Sequence, residues 1–589
     1  MARDNRGHSP RTSTAATRGR RRSSYDEARD RSRGTGPRRR LPLPAWLAAL
    51  FVVVAVRLFW LQVVDAPNLS AKAAAIHTNS VTISARRGTI YDRNGNVLAA
   101  SQDCRTIYCN PNAVADDKKS AVAQVLADNL GGNASDYLTV LSKDTTFAYL
   151  KKQVDTSVAE AVVSQVGDLE ADGVYTVADV RRVYPYGSMA GQLLGILGSE
   201  GHGLTGLELQ YDDVLSGTDG EMLLEQGLDG TPVAGGAYQL TEAKDGTDIV
   251  VSIDANIQQK IEEQLSQAMT DTEAKSGNVV VTDPTTGEIL AAASTPLYDP
   301  TDPSSGTNEA LKLMSVSDSY EPGSTFKILT MAIGYDTGTI TDTSTFTVPG
   351  KVKVGDDYVS DDDGRTATMT MTPYEIMRRS SNTGAALVGK AIGSDKFAAG
   401  IAKFGIGQTM GIDFPGESAG IVPKREDYTG ATTGSAAFGQ GIAFPSMQLV
   451  RAVGAIANKG VLTTPHFLVQ KGGERVEWPQ GGQAVSAEAA AAVTRDMEGV
   501  VKEGTGKLAN IKGYSVAGKT GTGEQASSEG GYQADSFLSS FIGFANADDP
   551  SVLVYVGMYG TAQHGGTAAA PYFSAIMSEA LTDLGVKAE

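Results

Sequence analysis

Cysteine is nearly absent: 589 residues contain two, Cys104 and Cys109. They lie in a β-like stretch, where an extended chain covers ~3.3 Å per residue. Their sulfurs are therefore expected ~16 Å apart and on opposite faces, which excludes a disulfide. No CxxC or HExxH occurs, and the histidines His8, His77, His202, His466 and His564 are scattered. That excludes the familiar zinc spacings, and nothing here requires a metal or a cofactor. Basic side chains are also scarce beyond the N-terminus. Residues 1–44 hold 13 arginines, no lysine and 4 acids, whereas the remainder holds 38 bases against 64 acids. A body that acidic has no footprint for nucleic acid. Even so, apolar residues at 41% and charged residues at 20% are enough for a buried core, and the length allows about three to four structural units.

Long apolar runs are rare as well. There is one, LPAWLAALFVVVAVRLFWLQVV, from Leu43 to Val64, interrupted only by Arg57 and Gln62. Twenty-odd residues at ~1.5 Å each span the hydrocarbon layer of a bilayer. Trp46 and Trp60 fall ~21 Å apart along such a helix, suited to the two interfacial belts. Arg57 then either snorkels toward headgroups or contacts a partner helix. The arginine-rich start predicts a cytoplasmic N-terminus and a body outside the membrane. A cleaved signal peptide has a shorter basic start and a shorter apolar core, so an uncleaved anchor is expected.

The expected organisation is a disordered basic tail over 1–44, a single transmembrane anchor over 45–64, a mixed α+β pedestal over 65–245, and an α/β domain over 246–589. Residues 81–101 read as strand, turn, strand, with Asn94-Gly95 supplying the positive-φ positions. After residue 246 come a strand (TDIVVSID) and an amphipathic helix bearing Ile257, Ile261, Leu265 and Met269. A hairpin around PTTG, strands near 536–547 and 551–559, and a closing helix from Pro571 to about Leu584 complete an antiparallel sheet flanked by helices.

Three motifs carry chemistry. YEPGSTFKILTMAIG contains Ser324 and Lys327 at the start of a helical run, one turn apart on one face. A serine hydroxyl is a poor nucleophile until a base takes its proton, and a desolvated lysine near other cations can serve as that base. Ser380-Ser381-Asn382 falls between two helical stretches, where a hydroxyl and an amide can project into a cleft. Lys519-Thr520-Gly521-Thr522 falls on a strand, where Gly521 allows close backbone approach and Lys519 favours a bound carboxylate. Taken singly, the first is common by chance on a surface helix, and the second and third read better as a polar turn and a strand end.

Two further patterns fail on context. Gly513-x4-Gly518-Lys519-Thr520 has the phosphate-loop spacing but is followed by a poor helix start. Gly416-Glu417-Ser418-Ala419-Gly420 has the nucleophile-elbow spacing, but Pro423 forbids the helix that an elbow requires.

The ordered set SxxK, SxN, KTG resembles the penicillin-recognising serine transferases and hydrolases. The flanks YEPGSTFK, SSNTG and AGKTGTG, the run RRGTIYDRNG, and GLTGLE at 203–208 make the chain similar, from about residue 43 to 585, to class B penicillin-binding proteins. The resemblance implies a β-lactamase-like serine transpeptidase domain that cross-links peptidoglycan stem peptides and is acylated by β-lactams. It implies Ser324 as nucleophile, Lys327 as general base and Ser380 as a proton relay toward Lys519. Asn382 would orient Lys327 and the substrate amide. Thr520 and Thr522, flanking Gly521, would hold the terminal carboxylate, and the backbone N–H groups of Ser324 and Thr522 would form the oxyanion hole. The SSNTG form is most similar to the septal cell-division type. Elongation- or sporulation-type enzymes, or a non-enzymatic β-lactam sensor or scaffold, are the alternatives. Expected partners are peptidoglycan strands, the bacterial cell membrane, and a polytopic lipid II polymerase with other division proteins.

Overall fold

The computed structural model describes residues 43–69, 72, 78–225, 238–526 and 532–588. Of the tail expected to be disordered over 1–44, residues 1–42 lie outside them, and Leu43 and Pro44 instead begin the first helix. The chain divides into two units, Met1–Ile76 and His77–Glu589. In the first, a helix over Leu43–Phe59 continues as a wider π-type turn over Trp60–Val64. Pro44–Val64 forms 21 helical residues of mean hydropathy 2.4, none buried against protein. At ~1.5 Å per residue this is long enough to cross a bilayer.

The second unit is built around a five-stranded antiparallel sheet. Its order is Ile289–Ser294, Ser276–Thr282, Leu553–Thr561, Tyr532–Ala545, Val516–Ala526. On one face Val279, Val281, Val554 and Val556 pack against Ile257, Ile261 and Leu265 of the Ala255–Thr272 helix and Phe573 and Met577 of the Ala570–Asp583 helix. On the other, Val280 and Tyr555 share a core with Leu329 and Met331 of the Lys327–Asp336 helix and Val453 of the Ser446–Ala457 helix. Burial on both faces is why Ser276–Thr282, Ile289–Ser294 and Leu553–Thr561 read as apolar runs rather than as alternation. Val516–Ala526 is one of the two edge strands, so alternate backbone groups along it are available to a ligand.

A second sheet ties the N-terminal third to this body. Ile90–Tyr91 pairs antiparallel with Val97–Cys109 and parallel with Ile249–Val251, which in turn pairs with Leu468–Lys471. Arg87 of RRGTIYDRNG and Glu208 of GLTGLE, 121 positions apart, meet in a buried ion cluster. Arg182 donates to the same carboxylate at 2.7 Å, and Arg87 reaches Asp212 at 2.7 Å. Both signature runs thus serve one buried polar knot, which supplies the paired charges that interior ions require.

The simple hairpin read over 81–101 is corrected. Thr78–Ile83 pairs instead with Gly220–Glu225 in a separate sheet, and only Ile90–Tyr91 pairs across the turn. The break falls where Arg87 is anchored and where a Cβ on Gly88 would lie 2.2 Å from the Thr247 carbonyl oxygen. In the turn only Gly95 takes positive φ, at 85°. Asp92 supplies the rest of the turn chemistry, accepting from the backbone N–H groups of Asn94 (2.8 Å) and Asn96 (2.7 Å). Cys104 and Cys109 both lie on Val97–Cys109, buried and unbridged.

Candidate active site

Ser324 lies in a single 3-10 turn, Gly323–Phe326, that runs directly into the Lys327–Asp336 helix. Gly323 takes φ 55°, and a Cβ there would sit 2.8 Å from the Thr522 carbonyl oxygen. Its N–H donates to the Gly439 carbonyl at 3.1 Å. The turn is thus clamped between the KTG strand and a glycine loop. Ser324 is only 6% exposed and Lys327 is wholly buried. This rules out the surface-helix reading of the first motif.

Lys327 Nζ lies 2.8 Å from Ser324 Oγ, 2.6 Å from Asn382 Oδ1, 2.7 Å from the Ser380 carbonyl oxygen and 3.3 Å from Ser380 Oγ. Ser380 caps the Pro373–Arg379 helix in the left-handed conformation, φ 59°. A serine there carries strain on the order of 1–2 kcal/mol. The helices on either side hold it in place. Thr372 and Glu375 form a reciprocal cap at the start of one, and the Ser381 hydroxyl accepts from Gly384 N–H at the start of the other, Asn382–Ile392. Lys519 Nζ, also wholly buried, donates to Ser380 Oγ at 2.8 Å and to the Thr520 carbonyl at 2.9 Å. The Ser380 hydroxyl therefore stands between two lysines.

Burial brings the Lys327 amine down to about 8, with Asp362 and Asp361 pulling it partly back up. Burial and the neighbouring Lys327 charge push Lys519 well below the usual lysine range. Thr520 Oγ1 pairs with Thr505 Oγ1 at 2.7 Å, and Thr522 Oγ1 accepts from Gly565 N–H at 3.3 Å. At Gly521 the space for a Cβ is taken by Ser540 Oγ at 2.3 Å and Thr325 Cγ2 at 2.9 Å. The glycine lets the strand press against the Ser324 turn, a different need from ligand approach.

The geometry thus gathers Ser324, Lys327, Ser380, Asn382, Lys519 and Thr520 into one chain of contacts and sets Thr522 beside Gly323. Both decoys stay apart. Lys519-Thr520 continues as the Val516–Ala526 strand, with no helix to receive phosphate. No helix starts at Ser418, where the chain runs on without helix to Lys424, and Ser418 Oγ lies 3.3 Å from Ser319 Oγ. Two supports were not read from the sequence. Asp361, buried, accepts from Ser381 Oγ, Thr383 N–H and Arg365, and so holds the SxN turn. Gly439 backs Gly323 so closely that a Cβ would meet the Gly323 carbonyl oxygen at 2.0 Å. The DDDGR and FGQG runs were the available signals.

Comparison with known proteins places this geometry. Residues 277–578 match the penicillin-binding protein transpeptidase domain, and residues 82–251 the penicillin-binding protein dimerisation domain. The chain belongs to the class B penicillin-binding proteins. Penicillin-binding protein PbpB of Mycobacterium tuberculosis is 33% identical to this class B chain over 565 residues, covering 90% of this chain and 82% of that protein. Peptidoglycan D,D-transpeptidase FtsI of Escherichia coli is 27% identical over 552 residues, 90% and 89% of the two chains. A crystal structure of penicillin-binding protein 3 from Mycobacterium tuberculosis with aztreonam superposes with TM-score 0.67 at 27% identity, covering 86% of this chain and 98% of that one.

Proposed function

We propose that this chain is a peptidoglycan D,D-transpeptidase of cell division in which Ser324 carries the acyl group. The observation that supports this most directly is the Lys327 Nζ–Ser324 Oγ contact of 2.8 Å inside a buried site that brings the amine down to about 8, so that a fraction of it is neutral near pH 7. Neutral Lys327 takes the Ser324 proton as Oγ attacks the penultimate D-Ala carbonyl of a stem peptide. The N–H groups of Ser324 and Thr522 receive the developing oxyanion, worth roughly a hundredfold in rate per donor. Ser380, between the lysines, passes a proton to the leaving D-Ala nitrogen, and the C–N bond breaks to leave an ester on Ser324. A neighbouring stem's amine then attacks that ester and takes the acyl group. Thr520 and Thr522 receive the terminal carboxylate, and Asn382 holds the substrate amide. A β-lactam acylates the same serine.

The domain plan is a cytoplasmic tail over 1–44, an anchor over 45–64, a pedestal over 65–245 and the catalytic domain over 246–589. The basic tail ahead of a single apolar span supports an N-terminus inside and a body outside. Arg57 and Gln62, polar groups on an apolar helix, support a polytopic glycan polymerase as partner. That partner should co-purify with wild type and be lost on Arg57→Leu with Gln62→Leu. Unchanged recovery would leave the helix as an anchor only.

A membrane-impermeant fluorescent penicillin on intact spheroplasts tests both chemistry and topology. Wild type and Ser418→Ala should label and Ser324→Ala should not. Labelling of Ser324→Ala would refute the nucleophile, and labelling only after permeabilisation would refute the orientation.

A further inference from the structure

Three consecutive acids, Asp361, Asp362 and Asp363, lie beside the SxN turn, and two are matched to arginines. Arg365 Nη2 bonds Asp361 at 2.7 Å, and Arg379 Nη1 lies 3.6 Å from Asp363. Asp361 is occupied further by Ser381 and Thr383. Asp362 differs. Among the described residues it has no cationic partner within 4.0 Å. Its Oδ1 accepts instead from Asn382 Nδ2 at 3.1 Å, and the Ser360 carbonyl accepts from the same nitrogen at 3.4 Å.

An amide has one donor end and one acceptor end. With Nδ2 held by Asp362 and Ser360, Asn382 must turn Oδ1 toward Lys327 Nζ, which it meets at 2.6 Å. The opposite orientation would set an NH2 against an ammonium and a carbonyl against a carboxylate. Asp362 is therefore one amide away from Lys327.

We propose that Asp362 is a positioning residue of this site, pinning the Asn382 amide oxygen on Lys327 and standing as the unneutralised negative charge before the Lys327–Lys519 pair. The charged groups around it come from every element that meets there. They are Lys327 from the SxxK helix, Lys519 from the KTG strand, Arg379 from the Pro373–Arg379 helix, and Asp361, Asp363 and Arg365 from its own loop. Asp362 favours the charged form of both lysines. Since the base must be neutral to take a proton, Asp362 sets how far acylation extends toward acid pH.

This inference rests on Ser324 and Lys327 being the reacting pair, so the test carries Ser324→Ala alongside. The second-order rate constant for acylation of the full-length detergent-solubilised protein by a fluorescent penicillin is measured from pH 5.5 to 9. Removing the carboxylate lowers the Lys327 pKa, so the acid limb in Asp362→Asn should move to lower pH by about half a unit. Asp362→Ala, which also releases the Asn382 amide, should shift the limb and lower the plateau roughly fivefold to tenfold. Asp363→Asn should leave the limb in place. The proposal is overturned by an unmoved limb in Asp362→Asn, an unchanged plateau in Asp362→Ala, or an equal shift in Asp363→Asn. Labelling of Ser324→Ala would instead overturn the reading on which it rests.

Discussion

Tyr335 stands at the far end of the helix that begins with Lys327, and its hydroxyl donates to Asp496 Oδ2 at 2.9 Å. Asp496 is 4% exposed, and burial pushes its carboxyl up to about 7, with Asp342 adding to the rise. The unfolded chain releases that proton near pH ~4. Between about pH 4 and 7 the folded state therefore binds more protons, and stability falls as pH rises through that window. Asp496→Asn keeps an acceptor for Tyr335 and removes the titration. Its free energy of unfolding in urea should pull ahead of wild type across this window and hold above pH 7, by up to about 4 kcal/mol. Parallel pH profiles for the two proteins would contradict this. Neither partner was legible in the sequence, because Tyr335 and Asp496 are 161 positions apart and only helix packing joins them. Ser324 and Lys327 were legible because three positions on one helical turn meet whatever the rest of the fold does. Asp361 and Asp362 fall between these cases, close in sequence to the SxN turn but placed on it by a loop without periodicity.

Elements read best where a local rule suffices. The Ala255–Thr272 helix follows its four-residue apolar repeat and is capped by Asp254, which accepts from the N–H groups of Asn256 and Ile257. The sheet hairpin over Ser276–Thr282 and Ile289–Ser294 falls where PTTG predicts it. The N-terminal hairpin forms across its turn only at Ile90–Tyr91, because the earlier part of its first strand answers to distant partners. Thr78–Ile83 is claimed by Gly220–Glu225, and Gly88 by the backbone at Thr247. Gly521 makes a similar point inside the site. Its missing side chain matches the approach of Thr325 and Ser540, a requirement set by two other elements.

At the scale of the whole molecule, the RRGTIYDRNG and GLTGLE runs mattered as signatures before their physical role was visible. Arg87, Arg182 and Glu208 join segments from both ends of the N-terminal third, and the sheet through Ile90–Tyr91 and Ile249–Val251 carries that third into the catalytic body. A single hydrolytic domain needs no such body, whereas an enzyme joining two strands at a membrane must hold its site at a set place. Such a body suits acyl transfer to an amine rather than to water. Full-length protein in detergent, given un-cross-linked glycan strands bearing pentapeptide stems, should release one D-Ala per cross-link and yield dimeric muropeptides by mass spectrometry. Ser324→Ala should yield none. Release of D-Ala with only shortened monomers, or dimers that persist in Ser324→Ala, would contradict acyl transfer from Ser324 to an amine.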